Sequence, residues 1–306
     1  MGRLPEPPGG GRGGEGRRAR APGVVGEHPG APRRLPAAAA WRGYTSFVGF
    51  ALALLALLDQ YDAAAEKVRF PDGETQRQLS KPGASHRKVV NLVTDRGEWA
   101  KAFRTIHDRL GLLPAAPDIQ VVIEDTDDKR PASGVGRDGR GTIRFNMRLL
   151  GPYQQKLDDF ELARQSGKAV KWVVPPSRLD ALVTHELTHV VCGVMAEEWL
   201  TEGLATYTAG EESLLYEFNH RGSKVESLDR PVGETDAYAR GLSFFRWMEK
   251  EFGPEKVRAF ARRVSSGSGE KHGPVAAEVT GTPWEKLLLQ EQAWSAEYVA
   301  TFKKKP

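Results

Sequence analysis

His185-Glu186-Leu187-Thr188-His189 carries the strongest structural signal in this chain, and Glu202 follows it thirteen positions later. Positions four apart on an α-helix differ by about 40° around the axis and roughly 6 Å along it. Two imidazoles with this spacing can therefore converge on one metal ion. Glu186 lies about 100° from His185 on the same helix, so its carboxylate sits beside such an ion and does not bind it. That is where a general base for a metal-bound water belongs.

The residues around this motif predict the helix that it needs. Pro175 and Pro176 end the preceding element, Ser177 is a good N-cap, and Gly193 is a typical helix stop. The sequence therefore predicts a helix from about Arg178 to Cys192. Its apolar face consists of Leu179, Leu182, Val183, Leu187, Val190 and Val191.

A third metal ligand is expected, because a catalytic zinc usually takes three protein ligands and leaves a fourth position for water. A second helix is predicted from Glu197-Glu198-Trp199 onward, and it can bring Glu202 back to the ion. Two histidines and one glutamate form a known catalytic zinc set. We therefore predict one Zn²⁺ ion held by His185, His189 and Glu202.

Cys192 is the alternative ligand, since it lies three residues after His189 and thiolates bind zinc well. A fourth protein ligand would close the position needed for water. We therefore favour a small buried residue under the helix. Cys192 is the only cysteine in the chain, so no intramolecular disulfide is possible.

The motif in its setting resembles a known family. His185 to His189 with Glu202 inside WLTEGLATY (199–207) is similar to the gluzincin metallopeptidases, most closely to the bacterial peptidase MA-like group. The segment 236–247 is also similar, and the resemblance spans roughly 87–301. It implies an α+β, zincin-like fold. An N-terminal lobe would hold a small mixed sheet and the active-site helix, a C-terminal lobe would be helical, and zinc would lie between them.

The resemblance also implies the roles of individual residues in hydrolysis of a peptide bond. Glu186 would act as general base, and Tyr238 is the candidate donor to the oxyanion, although an ordinary core tyrosine is equally compatible. His220 is a weaker alternative donor. Thermolysin-like sequences often carry an acid four residues after the third ligand that orients a zinc histidine, and here that position is Thr206. The expected substrate is a peptide or protein, and no feature identifies an aminopeptidase.

Two other functions stay open at this stage. The first is a zinc-stabilised binding or scaffold domain of the same fold that hydrolyses nothing. Retention of Glu186 disfavours it, whereas Thr206 and the uncertain oxyanion donor keep it open. The second is an amide hydrolase that acts on non-protein substrates with the same site.

The first 45 residues differ in composition from the rest of the 306-residue chain. They are rich in Gly, Pro, Ala and Arg and have few large apolar side chains, which predicts disorder. They contain eight arginines against three glutamates, and the remainder of the chain is close to neutral. The net charge of +4 therefore belongs to this tail and does not indicate a nucleic-acid partner.

An apolar run, Phe47 to Leu58, follows the tail. It is short for a bilayer span, which needs about 20 residues, but it suits a signal peptide, and Ala63-Ala64-Ala65 offers a cleavage pattern. We predict that residues 46–65 are a secretory signal or a membrane anchor, with a buried helix as the third possibility. The arginines before the apolar run should stay on the cytoplasmic side of the membrane. The catalytic domain, 66–306, is therefore expected to be extracytoplasmic, either secreted or membrane-anchored.

The middle of the chain has an α/β pattern. Residues 88–93 and Ile119 to Ile123 are predicted strands, separated by an amphipathic helix over 98–110. Thr142 to Asn146 is a third predicted strand, preceded by the glycine-rich stretch 134–141. By resemblance, Thr142 to Asn146 is a candidate substrate-binding edge, although an ordinary strand is an equal alternative.

The last third of the chain has helical periodicity. One predicted helix runs from Tyr238 to Phe252 and ends at Gly253, and Pro254 opens the next. Thr282-Pro283-Trp284-Glu285 is a capping box with proline at the first helical position of the last helix.

Overall fold

Twelve helices and one four-stranded sheet make up the part of the chain that the computed structural model describes, which is residues 58–167, 178–230, 233–265 and 270–302. These residues belong to one compact unit from Leu52 to Pro306. The predicted disordered tail, almost all of the apolar run and Ser177 lie outside them. The expected mixture of helices with a small mixed sheet is confirmed, and the balance is mostly helical.

The helices are α1 (58–66), α2 (Gly73–Ser80), α3 (Ala84–Thr94), α4 (Arg96–Leu110), α5 (Met147–Gln165), α6 (Leu179–Cys192), α7 (Glu198–Ala209), α8 (Ser213–His220), α9 (Glu234–Phe252), α10 (Pro254–Ser265), α11 (His272–Thr280) and α12 (Trp284–Ala300). The strands are β1 (Val68–Arg69), β2 (Asp118–Glu124), β3 (Ala132–Arg137) and β4 (Arg140–Asn146). Every described element after β4 is a helix.

The sheet has the strand order β1-β2-β4-β3. Strands β1, β2 and β4 run parallel, whereas β3 runs antiparallel to β4. A two-residue turn joins β3 to β4, and both of its residues, Asp138 and Gly139, have positive φ angles of 53° and 76°. This is the backbone of a type I′ hairpin, for which Asp-Gly is a preferred dipeptide.

The expected substrate-binding edge is wrong, because β4 is an inner strand. Thr142 to Asn146 pair with β2 on one side, and β4 pairs with β3 on the other. The edge strand on this side of the sheet is β3, which comes from the glycine-rich stretch that precedes β4 in the chain. It packs directly against α6.

The predicted strand at 88–93 is also wrong, because these residues belong to helix α3. Val89, Val90 and Val93 are buried, and together with Ser85 they form one helical face. β-Branched residues favour strands only weakly, and tertiary packing overrides that preference. The neighbouring prediction of a helix over 98–110 is confirmed by α4, and the strand at Ile119 to Ile123 by β2.

The helix that carries the motif matches its prediction to within one residue. Helix α6 covers Leu179–Cys192 and ends at Gly193, whose φ of 74° suits glycine. Its N-cap is Arg178, which makes no capping side-chain hydrogen bond, and Ser177, the expected cap, lies outside the described residues. The last helix begins at Trp284 with Pro283 as its N-cap and no side-chain cap, so the predicted capping box is wrong.

Helix α1 is part of the core. Tyr61, Ala64 and Ala65 are buried, and the Tyr61 hydroxyl lies 2.7 Å from His107 Nδ1. Arg96 Nη1 donates to the Ala65 carbonyl oxygen over 2.6 Å. The alanines proposed as a cleavage pattern are therefore helical and tied to α4. Among the described residues, no helix has the length and apolar character to span a bilayer.

A chain that begins at residue 66 is expected to be less stable than one that begins at Leu52, by at least about 3 kcal/mol in the free energy of unfolding, because it loses the buried Tyr61 ring. Urea denaturation of both chains measures this difference. The full-length chain is the control and should match the chain from Leu52. Equal midpoints for all three would show that α1 does not stabilise the domain.

Candidate metal centre

Three side chains from two consecutive helices meet at one point. His185 and His189 lie on successive turns of α6, and Glu202 lies on α7. Thr201 holds the turn between the helices, because its Oγ1 accepts a hydrogen bond from the Met195 backbone N–H over 3.0 Å. The three predicted ligands are therefore brought together, as a group whose donor atoms all lie within 4.8 Å of one another.

The three closest donor atoms form a nearly equilateral triangle. His185 Nε2 lies 3.1 Å from His189 Nε2 and 3.2 Å from Glu202 Oε2, and His189 Nε2 lies 3.3 Å from the same oxygen. Ligand atoms around a tetrahedral zinc with bonds of about 2.0–2.1 Å lie about 3.3 Å apart. The donor set therefore has the size of one face of such a tetrahedron, and no fourth His, Cys, Asp or Glu among the described residues belongs to it.

Glu211 fixes the orientation of His185, and the sequence analysis did not identify it. His185 Nδ1 donates to Glu211 Oε2 over 2.7 Å, and both side chains are buried. A neutral imidazole that donates from Nδ1 presents a lone pair at Nε2. This lone pair faces Glu202 Oε2 and His189 Nε2 at 3.2 and 3.1 Å. The atoms repel one another at these distances unless a cation or a proton lies between them.

The close approach of these side chains shifts the pKa values of His185 and Glu202. Burial alone would lower the pKa of His185, but Glu211 and Glu202 outweigh it and raise that pKa well above its usual value. Burial opposes ionisation of Glu202, yet hydrogen bonds from His185 and His189 bring its pKa down to about 2. Both shifts favour positive charge on the histidines and negative charge on Glu202, as expected where carboxylates surround imidazoles.

Glu186 follows His185 on α6 and lies against β3. A Cβ on Gly134 of β3 would lie 2.4 Å from the Glu186 carbonyl oxygen and 3.3 Å from its carboxylate Oε2. Only glycine permits this close approach of β3 to α6. Burial raises the pKa of the Glu186 carboxyl, which moves it toward the range required of a general base near neutral pH.

Tyr238 lies beside the ligands on α9. Its ring stacks on that of His185, with centroids 6.0 Å apart and an interplanar angle of 17°. Burial, together with the charge of Glu202 and a hydrogen bond to it, raises the pKa of the phenol above its usual value. The hydroxyl therefore stays protonated and able to donate. By contrast, His220 is exposed at the end of α8 and is not part of the donor group.

Close packing of α7 on α9 determines where Tyr238 lies relative to Glu202. A Cβ on Gly203 would lie 2.3 Å from the Gly241 Cα, and a Cβ on Gly241 would lie 2.0 Å from the Trp199 carbonyl oxygen. The two helices touch backbone to backbone at this point. Any side chain at either glycine would separate the third ligand from Tyr238.

Cys192 and Thr206 are buried and lie outside the donor group. Cys192 is buried, its burial raises the thiol pKa to about 12, and it does not belong to the donor group. Thr206 is buried and donates to the Glu202 carbonyl oxygen over 2.8 Å. It therefore does not orient a histidine. The acid that orients His185 is instead Glu211, nine positions after Glu202.

Changing Glu211 to Gln is expected to weaken zinc binding by about 10–100-fold, because a carboxylate that holds a ligand histidine sets its tautomer and basicity. Competition with a chromophoric chelator measures the affinity. The matched control is Glu212→Gln, since Glu212 is next in sequence but pairs with Arg246 instead of a ligand. Equal affinities for wild type and Glu211→Gln would contradict this role.

Comparison of the chain with models of protein families, with curated proteins and with solved structures finds no match.

Proposed function

We propose that this chain is a zinc-dependent peptidase of the gluzincin type, with a zincin-like, peptidase MA-like domain. The observation that carries the proposal is the triangle formed by His185, His189 and Glu202, with sides of 3.1–3.3 Å, next to the buried carboxylate of Glu186. A site that only stabilised the fold would need the ligands but no adjacent base.

The proposed chemistry depends on one zinc ion held by these three ligands. When bound, zinc lowers the pKa of water and polarises a substrate carbonyl. Glu186 takes a proton from the attacking water and delivers it to the leaving amine, for which its raised pKa suits it. Tyr238, protonated and beside the ligands, donates a hydrogen bond to the carbonyl oxygen as negative charge develops there.

The edge strand β3 is the proposed binding surface for the substrate. Among the described strands it pairs only with β4, and its Gly134 lies against Glu186. An extended peptide that added to this edge would pass directly beside the general base. This moves the substrate edge from Thr142–Asn146 to the preceding strand and retains the binding mode that the sequence suggested.

The location outside the cytoplasm also remains a proposal. It rests on the composition of residues 1–65, most of which lie outside the described residues. A peptidase that acts on extracytoplasmic peptides or proteins is consistent with the proposed chemistry. A fusion of residues 1–65 to a reporter active only after export would test this placement independently of hydrolysis.

The proposed activity is tested with the full-length chain and a mixed peptide library. The zinc-loaded protein is expected to release new amino termini, chelation should abolish this release, and added Zn²⁺ should restore it. Mass spectrometry of the products would locate the cleaved bonds. A protein that binds one zinc ion yet cleaves no peptide would instead support the scaffold function.

A further inference from the structure

The loop between β2 and β3 carries a charged side chain to the edge of the candidate site. This loop covers residues 125–131, and Arg130 lies two positions before β3 begins. The side chain of Arg130 is exposed, so it is accessible to a ligand. Because β3 passes against Glu186 at Gly134, the start of the strand and the residues before it follow on from this contact along the chain.

The loop has a defined conformation because the buried side chain of Asn146 holds it. Asn146 Nδ2 donates to the Thr126 carbonyl oxygen over 3.1 Å and to the Asp128 carbonyl oxygen over 2.7 Å. The Asn146 backbone N–H donates to the Pro131 carbonyl oxygen over 2.9 Å. Three points of the loop are therefore anchored to one residue at the end of β4, which fixes the backbone on both sides of Arg130.

One edge of the Arg130 guanidinium is held and the other is available. Nη2 donates to Asp128 Oδ2 over 3.0 Å, Nε lies 3.4 Å from Asp128 Oδ1, and the Arg130 amide donates to the same Oδ1 over 3.0 Å. Nη1 makes no hydrogen bond to any described residue. A guanidinium has five N–H donors in a planar fork, so the Nη1–Nη2 edge can still receive a second carboxylate in bidentate geometry.

Arg130 precedes the part of β3 that contacts Glu186. Hydrogen bonding to Asp128 raises the pKa of Arg130 most, and the charge of Glu186 raises it further. Arg130 thus experiences the negative charge of Glu186. Its backbone is four positions from Gly134, about 13 Å along an extended chain. A flexible arginine side chain can cover part of this distance toward the cleaved bond.

The direction of β3 determines which part of a substrate meets Arg130. Antiparallel strand pairs are the commoner kind, and a peptide that added antiparallel to β3 would run opposite to it. With the cleaved bond beside Gly134, the residues on its carboxyl-terminal side would lie toward the start of β3. Arg130 would then face substrate residues about one to three positions beyond the cleaved bond.

We propose that Arg130 forms a carboxylate-binding subsite that recognises negative charge on the carboxyl-terminal side of the cleaved bond. This inference rests on the proposed function and adds a substrate class to it. Two sources supply a carboxylate at this place. One is the α-carboxylate of a peptide that ends one to three residues after the bond, and the other is an Asp or Glu side chain in the same positions.

The test compares matched peptides that differ only in this charge. One pair has a free carboxyl terminus or a carboxamide, and a second pair has Asp or Asn within three residues after the cleaved bond, in a longer amidated peptide. Wild type is expected to favour the carboxylate member of at least one pair by about tenfold in kcat/KM, mostly through KM. The pair that shows the preference identifies the source of the carboxylate.

Arg130→Gln should remove the preference and leave cleavage of the neutral peptides unchanged. Lys129→Gln is the matched control, since it removes an exposed positive charge from the adjacent position and should keep the preference. Equal use of both members of each pair by wild type would overturn the subsite. Retention of the preference in Arg130→Gln, or its equal loss in Lys129→Gln, would also overturn it.

A binding measurement separates failure of the subsite from failure of the proposed hydrolysis. Zinc-loaded Glu186→Ala is titrated with the same fluorescent peptides, with and without Arg130→Gln. Tighter binding of the carboxylate peptides that depends on Arg130 supports the subsite even if wild type hydrolyses nothing, which would refute only the activity. Equal binding of charged and neutral peptides would overturn the subsite even if hydrolysis is observed.

Discussion

Glu186→Gln is expected to reduce kcat for peptide hydrolysis by about 10²–10⁴-fold while zinc content stays at the wild-type level, because a general base contributes this much and the amide cannot accept the proton. Glu186 is buried beside the ligands without belonging to the donor group. Glutamine has nearly the same shape, so the packing against Gly134 should persist. Steady-state assays with zinc-loaded protein measure the change.

Two controls make the effect of Glu186→Gln specific. Thermal unfolding and zinc content must match those of wild type, since a lost fold or a lost ion would also abolish hydrolysis. Glu198→Gln, on the first turn of α7 and outside the donor group, is the matched substitution and should retain activity. Hydrolysis by Glu186→Gln within a few fold of wild type would remove Glu186 from the proposed chemistry.

Glu291→Ala is expected to destabilise the domain by about 3–5 kcal/mol, because it leaves the Arg240 guanidinium buried without its counter-charge. Arg240 Nη1 and Nη2 donate to the two Glu291 oxygens over 2.9 and 2.8 Å, and each side chain is only 1% exposed. Arg240 lies on α9, two residues after Tyr238, and Glu291 lies on α12. The pair therefore ties the helix that carries Tyr238 to the last helix.

Denaturant unfolding measures the loss in Glu291→Ala. The double variant Arg240→Met with Glu291→Leu is the control, because replacing both charges by apolar side chains removes the unpaired ion. It should recover much of the stability lost in Glu291→Ala. A Glu291→Ala variant within about 1 kcal/mol of wild type would show that the buried pair does not stabilise this packing.

The donor group of His185, His189 and Glu202 could be predicted because the information is local. His185 and His189 are four residues apart on a helix whose apolar face, N-terminal prolines and Gly193 stop are all readable. Glu202 is on the next helix, a short turn away. Local periodicity decides such elements, so the sequence predicts α6 to within one residue and the start of α7.

Glu211 was not predicted because its role depends on how the chain turns after α7. Gly210 ends that helix with a φ of 73°, and the change of direction brings Glu211 back to His185. No fixed spacing from the ligands encodes this return. A glycine C-cap followed by two acids, Glu211 and Glu212, is the only sequence signal that could have suggested it.

The edge strand was misplaced for a different physical reason. Strand β3 contains Gly134 and Gly136, and glycine lowers strand propensity, so the stretch resembled a loop. The glycines are required because β3 lies against the backbones of α6 and β4. The Asp138-Gly139 turn was a sequence signal for the hairpin, whereas the order of the strands depends on long-range pairing that local patterns do not specify.

X-ray absorption at the zinc edge of the full-length protein tests the central claim most directly. We predict one zinc ion per chain, bound only by nitrogen and oxygen at about 2.0–2.1 Å, with the ion lost in Glu202→Ala and kept in Cys192→Ala. A sulfur ligand at about 2.3 Å would show instead that Cys192 binds the metal. Stoichiometric zinc retained by Glu202→Ala would contradict the proposed centre.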